Sequence, residues 1–149
     1  MRRYTIEADA TTAAGTDAVW RVVADVGTWS GWGPWDSTTR ERDGADDPDG
    51  AGAIRVMRLG RYTSREEVTA FVPGERLEYA LLSGLPLRDY RSLIELTPLP
   101  DGGTRLRWRS EFGVRYPGTG RAIQRRLQTF LEDVATRLAR AAERDAATA

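Results

Sequence analysis

The sequence predicts an α+β fold in which one antiparallel sheet packs against a long C-terminal helix. Three observations carry this. Residues 118–144 place Ile123, Leu127, Phe130, Leu131, Val134 and Leu138 at helical spacing, with arginines and acids between them and no glycine or proline after Gly120. The middle of the chain divides at turn signals into short alternating segments. The hairpin registers imposed by those turns agree on a single apolar face, which is the surface a helix of this kind needs to cover its stripe.

The elements follow in order. Arg3 to Asp9 alternates, with Tyr4, Ile6 and Ala8 on one side, and predicts the first strand. Thr16 is placed to cap a short helix carrying Val19, Trp20, Val22, Val23 and Val26. Gly27 to Trp35 is a short aromatic segment broken by three glycines and a proline. Ser37 to Arg42 reads as a strand, and Asp43 to Gly50 as an acidic, glycine-rich turn.

Four turns then set the registers. Gly60-Arg61 pairs Leu59 with Tyr62, Met57 with Ser64 and Arg55 with Glu66. Pro73-Gly74 pairs Ala70 with Leu77, Val68 with Tyr79 and Glu66 with Leu81. The loop Gly84 to Leu87 pairs Leu81 with Tyr90, Tyr79 with Ser92 and Leu77 with Ile94. The turn Pro100 to Gly103 pairs Leu96 with Leu106, Ile94 with Trp108 and Ser92 with Ser110. Met57, Leu59, Val68, Tyr79, Leu81, Ile94, Trp108 and Phe112 thereby share one face. Charged residues such as Glu95, Arg107, Arg109 and Glu111 share the other, where Glu95 and Glu111 are expected to answer the arginine stripe.

At 149 residues the chain is expected to form a single domain over 1–144, with 145–149 a disordered tail. Basic and acidic residues balance at 22 each, which leaves no global field to recruit nucleic acid or an anionic membrane. There is no apolar run of membrane length and no apolar signal core, so a soluble cytoplasmic protein without stable membrane insertion is expected, as a monomer or homodimer. The chain contains no Cys, His, Lys or Asn. This excludes disulfides, thiolate chemistry, zinc–sulfur sites, histidine bases, Schiff bases and the Walker lysine. The basic set is all arginine, which by itself implies no function. Asp43, Asp46, Asp47 and Asp49 do not match an EF-hand loop, because Gly50 at its sixth position would put Ala45 first and Val56 twelfth. No metal and no resident cofactor are expected.

Three stretches carry a family resemblance: Val19 to Asp25 followed by Trp29 and Trp32; Glu67 to Leu77; and Gly84 to Tyr90 continuing through Gly102 to Trp108 into the terminal helix. Together they resemble the SRPBCC superfamily of START-like proteins, and within it the polyketide cyclase/dehydrase-like group. The resemblance implies a helix-grip fold, a seven-stranded antiparallel sheet wrapped around the long helix, with two short helices after the first strand. It also implies a cavity between sheet and helix that takes small apolar ligands. It supplies no catalytic motif, because the superfamily spans carriers, receptors and cyclases.

Within the predicted inner face lies one polar set: Arg55, Ser64, Glu66, Tyr79, Tyr90, Ser92 and Ser110. Sparse polar groups in an apolar pocket orient a ligand. Their ordinary alternative is a core hydroxyl satisfied internally, or, for Arg55 and Glu66, a pair standing in water at a cavity mouth. Glu66, Tyr90 and Arg55 are the candidate catalytic groups, with Glu66 or Tyr90 moving protons and Arg55 polarising a carbonyl. Of Trp29, Trp32 and Trp35, one or two are expected to anchor the short helices to the sheet, and Trp32, flanked by glycines, is the preferred pocket residue of the three. Met57, Leu81, Trp108, Phe112, Leu127 and Leu131 complete the expected lining. The leading functional expectation is binding of a small hydrophobic molecule such as a lipid, an isoprenoid or an aromatic polyketide. The alternatives are a cyclase or dehydratase using the same groups, and an interaction protein with a closed cavity.

Overall fold

The first and last strands decide how the sheet closes on its helix. A computed structural model describes residues 2–148. Strand β1 (Tyr4–Thr12) pairs antiparallel with β7 (Thr104–Val114), with Ile6 opposite Ser110 and Ala8 opposite Trp108. Between them run β2 (Ser37–Arg42), β3 (Ile54–Leu59), β4 (Tyr62–Val72), β5 (Arg76–Ser83) and β6 (Leu87–Pro98). The order across the seven-stranded sheet is β1-β7-β6-β5-β4-β3-β2. Helix α1 (Thr16–Ala24), a 3-10 turn (Val26–Thr28) and the short α2 (Trp29–Trp32) lie between β1 and β2, and α3 (Gly120–Thr148) closes the chain. This is the predicted α+β arrangement.

The registers follow the turns. Arg55 faces Glu66, Val68 faces Tyr79, Tyr79 faces Ser92 and Ile94 faces Trp108. Two pairings differ from expectation. A bulge between Val68 and Ala70 sets Ala70 opposite Glu78 and Phe71 opposite Leu77. The β5–β6 ladder stops at Ala80–Arg91, so Leu81 never pairs with Tyr90, and Asp89 adopts a left-handed φ of 46° where the two strands part. Gly84 in that hairpin passes so close to β4 that a side chain would collide with the Thr63 carbonyl.

Helix α3 is 29 residues long and runs beyond Arg144. The disorder expected over 145–149 is not seen through Thr148, because Asp145 accepts a 3.0 Å bond from Arg21 of α1; Ala149 lies outside the described residues. The helix packs chiefly on β1, β7 and α1, and stands away from β3, β4 and β5. Gln128 sits where the helix crosses the exposed edge of β1. Its Nε2 donates to the Glu7 carbonyl (2.7 Å) and its Oε1 accepts from the Glu7 N–H (3.0 Å). Gln124 donates to the Thr5 carbonyl in the same way. These bonds occupy an edge that would otherwise present unpaired backbone groups.

Leu138, Val134, Val19, Val23, Leu77, Leu106 and Ile94 form the fully buried centre of the core. The outer face is wet and ion-paired, with Glu111 answering the arginine stripe as expected and Glu95 replaced by acids of β1. Arg107 reaches Glu7 at 2.7 Å rather than its cross-strand neighbour Glu95. Arg105 reaches Asp9, and Arg109 pairs with Glu111. In the acidic turn Arg40 binds both Asp43 and Asp49, which leaves the turn net negative.

Candidate functional site

Because α3 leans on the β1–β7 side, the concave face of the sheet over β3–β5 is left uncovered and encloses a cavity of about 450 Å³. That volume lies within the range of small-molecule pockets. Its floor is Met57, Leu59, Tyr79 and Trp108 from the sheet. Its roof is Ile123, Leu127, Phe130, Leu131 and Val134 from one stripe of α3. Trp29 and Trp35 close one side, and Leu85, Pro86 and Leu87 of the β5–β6 hairpin flank the other, where the exposed Tyr62 and Arg126 mark the opening. Ser64, Glu66 and Tyr90 add polar groups to the walls.

The structure therefore brings together Met57, Ser64, Glu66, Tyr79, Tyr90, Trp108, Leu127 and Leu131 of the expected lining. The others fall outside it. Ser92 and Ser110 are buried and hydrogen-bonded to each other, with Tyr90 Oη 3.2 Å from Ser110 Oγ. Phe112 is buried behind Tyr90, stacked on Tyr4. Leu81 lies past the end of the β5–β6 ladder and contributes no wall. Trp32 packs against the outer sides of Trp29 and Trp35 and lines a shallow groove with Arg137 and Arg140. Trp29 and Trp35 occupy the place expected for Trp32. The three-residue spacing is compatible with anchors or with a pocket wall and does not say which rings face inward.

Arg55 is the most unusual group. It is 1 % exposed and lies just behind the cavity wall. Its guanidinium carbon sits 4.3 Å from the centre of the Trp29 ring and 4.8 Å from that of Tyr79, so the cation is held between two aromatic faces. None of its three nitrogens has a hydrogen-bond partner among the described residues. Its Nη2 lies 3.8 Å from Glu66 Oε1, close enough for attraction but too far for a hydrogen bond. Burial pushes the Arg55 pKa down, against the pull of Glu66.

Glu66 responds to the same environment. Burial pushes its carboxyl pKa up to about 7, and Arg55 restrains the rise. A carboxyl group poised near neutrality can donate or accept a proton at physiological pH. Tyr79 accepts a 3.0 Å bond from Trp108 Nε1, which leaves its own O–H to donate. Burial raises the Tyr79 and Tyr90 pKa values, so both phenols stay protonated donors. The cavity thus presents one near-neutral carboxyl, two phenolic hydroxyls and the Ser64 hydroxyl in an apolar surround. Among the described residues no cluster of three or more His, Cys, Asp or Glu side chains could hold a metal ion, and no helix is long and apolar enough to cross a membrane.

A long helix gripped by a seven-stranded sheet, with a cavity between them, defines the START-like class. The profile of the family described as "Polyketide cyclase / dehydrase and lipid transport" matches residues 3–143, and the chain belongs to that family. Among curated proteins no match is found. Solved structures share the fold. A START superfamily protein from Mycobacterium smegmatis superposes with a TM-score of 0.82 at 15% identity, covering 94% of this chain and 97% of that one. A solution structure from Thermobifida fusca gives 0.76 at 23% identity, covering 94% and 93%. A crystal structure of a protein from Bacillus thuringiensis gives 0.75 at 15%, covering 93% and 98%. At these identities the likeness concerns the fold alone.

Proposed function

We propose that the protein binds one small, largely hydrophobic molecule in this cavity, of lipid, isoprenoid or aromatic polyketide character, with a polar end directed at Glu66, Tyr79 and Tyr90. The observation that carries the reading is an apolar cavity of about 450 Å³ whose wall holds a carboxyl group near neutral pKa. Burial of the ligand supplies affinity, at roughly 25 cal/mol per Å² before the costs of ordering. The polar groups select among ligands, because a mismatched ligand leaves a buried donor or acceptor unpaired. Native mass spectrometry of the freshly purified protein, followed by denaturing extraction, tests the reading directly. A discrete mass released on unfolding is expected. With that ligand, Tyr79→Phe and Glu66→Gln should change preference among analogues while the fold survives. Unchanged preference in both variants would remove these groups from the site.

A second reading is supported by the near-neutral carboxyl itself. Glu66 would serve as general acid or base on a reactive chain folded in the cavity, in a cyclase or dehydratase of polyketide type. The two readings separate on one variant. Under catalysis, Glu66→Gln retains binding but loses turnover of a linear polyketide mimic. Under binding alone, neither the parent protein nor the variant turns the mimic over.

A further inference from the structure

The chain is neutral overall, yet its charges are segregated along the strands. Arg61 in the β3–β4 turn, Arg88 at the start of β6, Arg115 after β7, and Arg121, Arg125 and Arg126 in the first turns of α3 all lie at the end where the cavity opens. All six are exposed, and none is ion-paired with a carboxylate among the described residues. Most arginines elsewhere are paired, including Arg65, Arg105, Arg107 and Arg109 of the outer sheet face, although Arg58 and Arg91 of that face are not. The turns and strand ends at the opening carry the acids Asp36 and Asp89, and Asp36 already accepts the Gly60 N–H. Acids such as Glu75, Asp101, Glu143 and the Asp43–Asp49 turn gather at the opposite end.

Two further features sharpen the pattern. Helix α3 has no acid in its first turn, and three arginines stand near a terminus where the helix dipole disfavours cations. Helix stability therefore does not account for them. The exposed large hydrophobic side chains, Tyr62, Leu82 and Tyr116, all sit on this same rim, at the start of β4, the end of β5 and in the β7–α3 loop. Tyr62 also lines the cavity.

We infer that this rim docks on an anionic lipid bilayer, with the arginines on lipid phosphates and Tyr62, Leu82 and Tyr116 at the headgroup boundary. Guanidinium groups bind phosphate through paired N–H donors, and tyrosine is suited to the membrane interface. A soluble polyanion would satisfy the arginines but leave the three apolar side chains without a role, and so the bilayer is the favoured occupant. The docked pose turns the cavity opening toward the lipid, so an apolar molecule would cross little water on the way in or out. Docking requires no cargo and stands or falls separately from the reading of the cavity.

Flotation with phosphatidylcholine vesicles, with and without one third phosphatidylglycerol, tests the inference at low and high salt. Wild-type protein should float with the anionic vesicles at low salt and leave them at high salt. Arg121→Gln with Arg125→Gln should weaken that binding about thirtyfold. Its melting temperature should be unchanged or higher, since cations leave a helix N-terminus. Leu82→Ser with Tyr116→Ser should also weaken binding, with the salt dependence kept. Failure of the wild type to bind anionic vesicles overturns the inference, as does full binding by both variants. Sensitivity to the arginine pair alone, or binding to an acidic protein or oligonucleotide in place of vesicles, overturns the bilayer and assigns the rim to a soluble polyanion.

Discussion

Arg55 and Glu66 stand opposite each other because a two-residue turn at Gly60-Arg61 leaves no other register. The turn therefore puts a cation just behind the cavity wall beside an acid that lines it, and neither is well hydrogen-bonded. The consequence is a stability that depends on pH. In the folded chain Glu66 keeps its proton up to about pH 7, whereas the ordinary carboxyl releases it near 4.5. Between those values the folded state binds more protons than the unfolded state, so stability falls as pH rises through the window and levels off above it. The contribution is on the order of 3 kcal/mol. Urea midpoints taken from about pH 4.5 to just above 7 should show the fall, and Glu66→Gln should flatten it. Arg55→Met removes the charge that restrains the Glu66 pKa, so the fall should move to higher pH. A fall left in place by that variant would mean that the two groups do not communicate across their 3.8 Å separation.

At the scale of the elements, α3 is held by its buried stripe and by side chains that bond to the edge of β1. Leu138 is fully buried and lies away from the cavity, so its replacement reports on packing alone. Leu138→Asp should destabilise by roughly 3–5 kcal/mol, because it buries an unpaired charge. Gln128→Leu should cost about 1–3 kcal/mol by leaving the Glu7 N–H and carbonyl unpaired, with both effects read as shifts in urea midpoint. What was legible in the sequence follows the same division. The helix stripe and the four turns are local periodicities and local turn chemistry, and they carried the sheet register through Tyr79, Ser92 and Trp108. The stripe also marked Leu127 and Leu131, which roof the cavity. The extension of α3 past Arg144 was not legible, since Asp145 is held by Arg21, 124 residues away. The bulge after Val68 and the parting of β5 from β6 moved Leu77 and Leu81 from their expected neighbours without any signal in composition. The exchange of Trp32 for Trp29 and Trp35 has the same origin, because a four-residue helix sets ring directions through tertiary contact.

For the whole molecule, the decisive feature is space left unfilled. Protein interiors are ordinarily packed as densely as organic crystals, and a void forfeits the dispersion contacts of its lining. A chain of 149 residues that keeps about 450 Å³ open between its sheet and its longest helix gives up stability that a larger side chain would restore. Leu127 is the place to test this, since it is half-buried, lies on the roof and makes none of the helix–strand hydrogen bonds. Leu127→Trp should leave the melting temperature equal or higher while abolishing capture of an apolar fluorescent probe. It should also abolish the thermal stabilisation the parent protein gains from ligand, which mass action sets at about 2.7 kcal/mol for ligand at a hundred times its dissociation constant. A variant that melts lower and still binds would place the ligand outside the cavity. Loss of binding at undiminished stability would mean that the open space serves ligand capture rather than folding, the exchange of stability for function expected of a binding site.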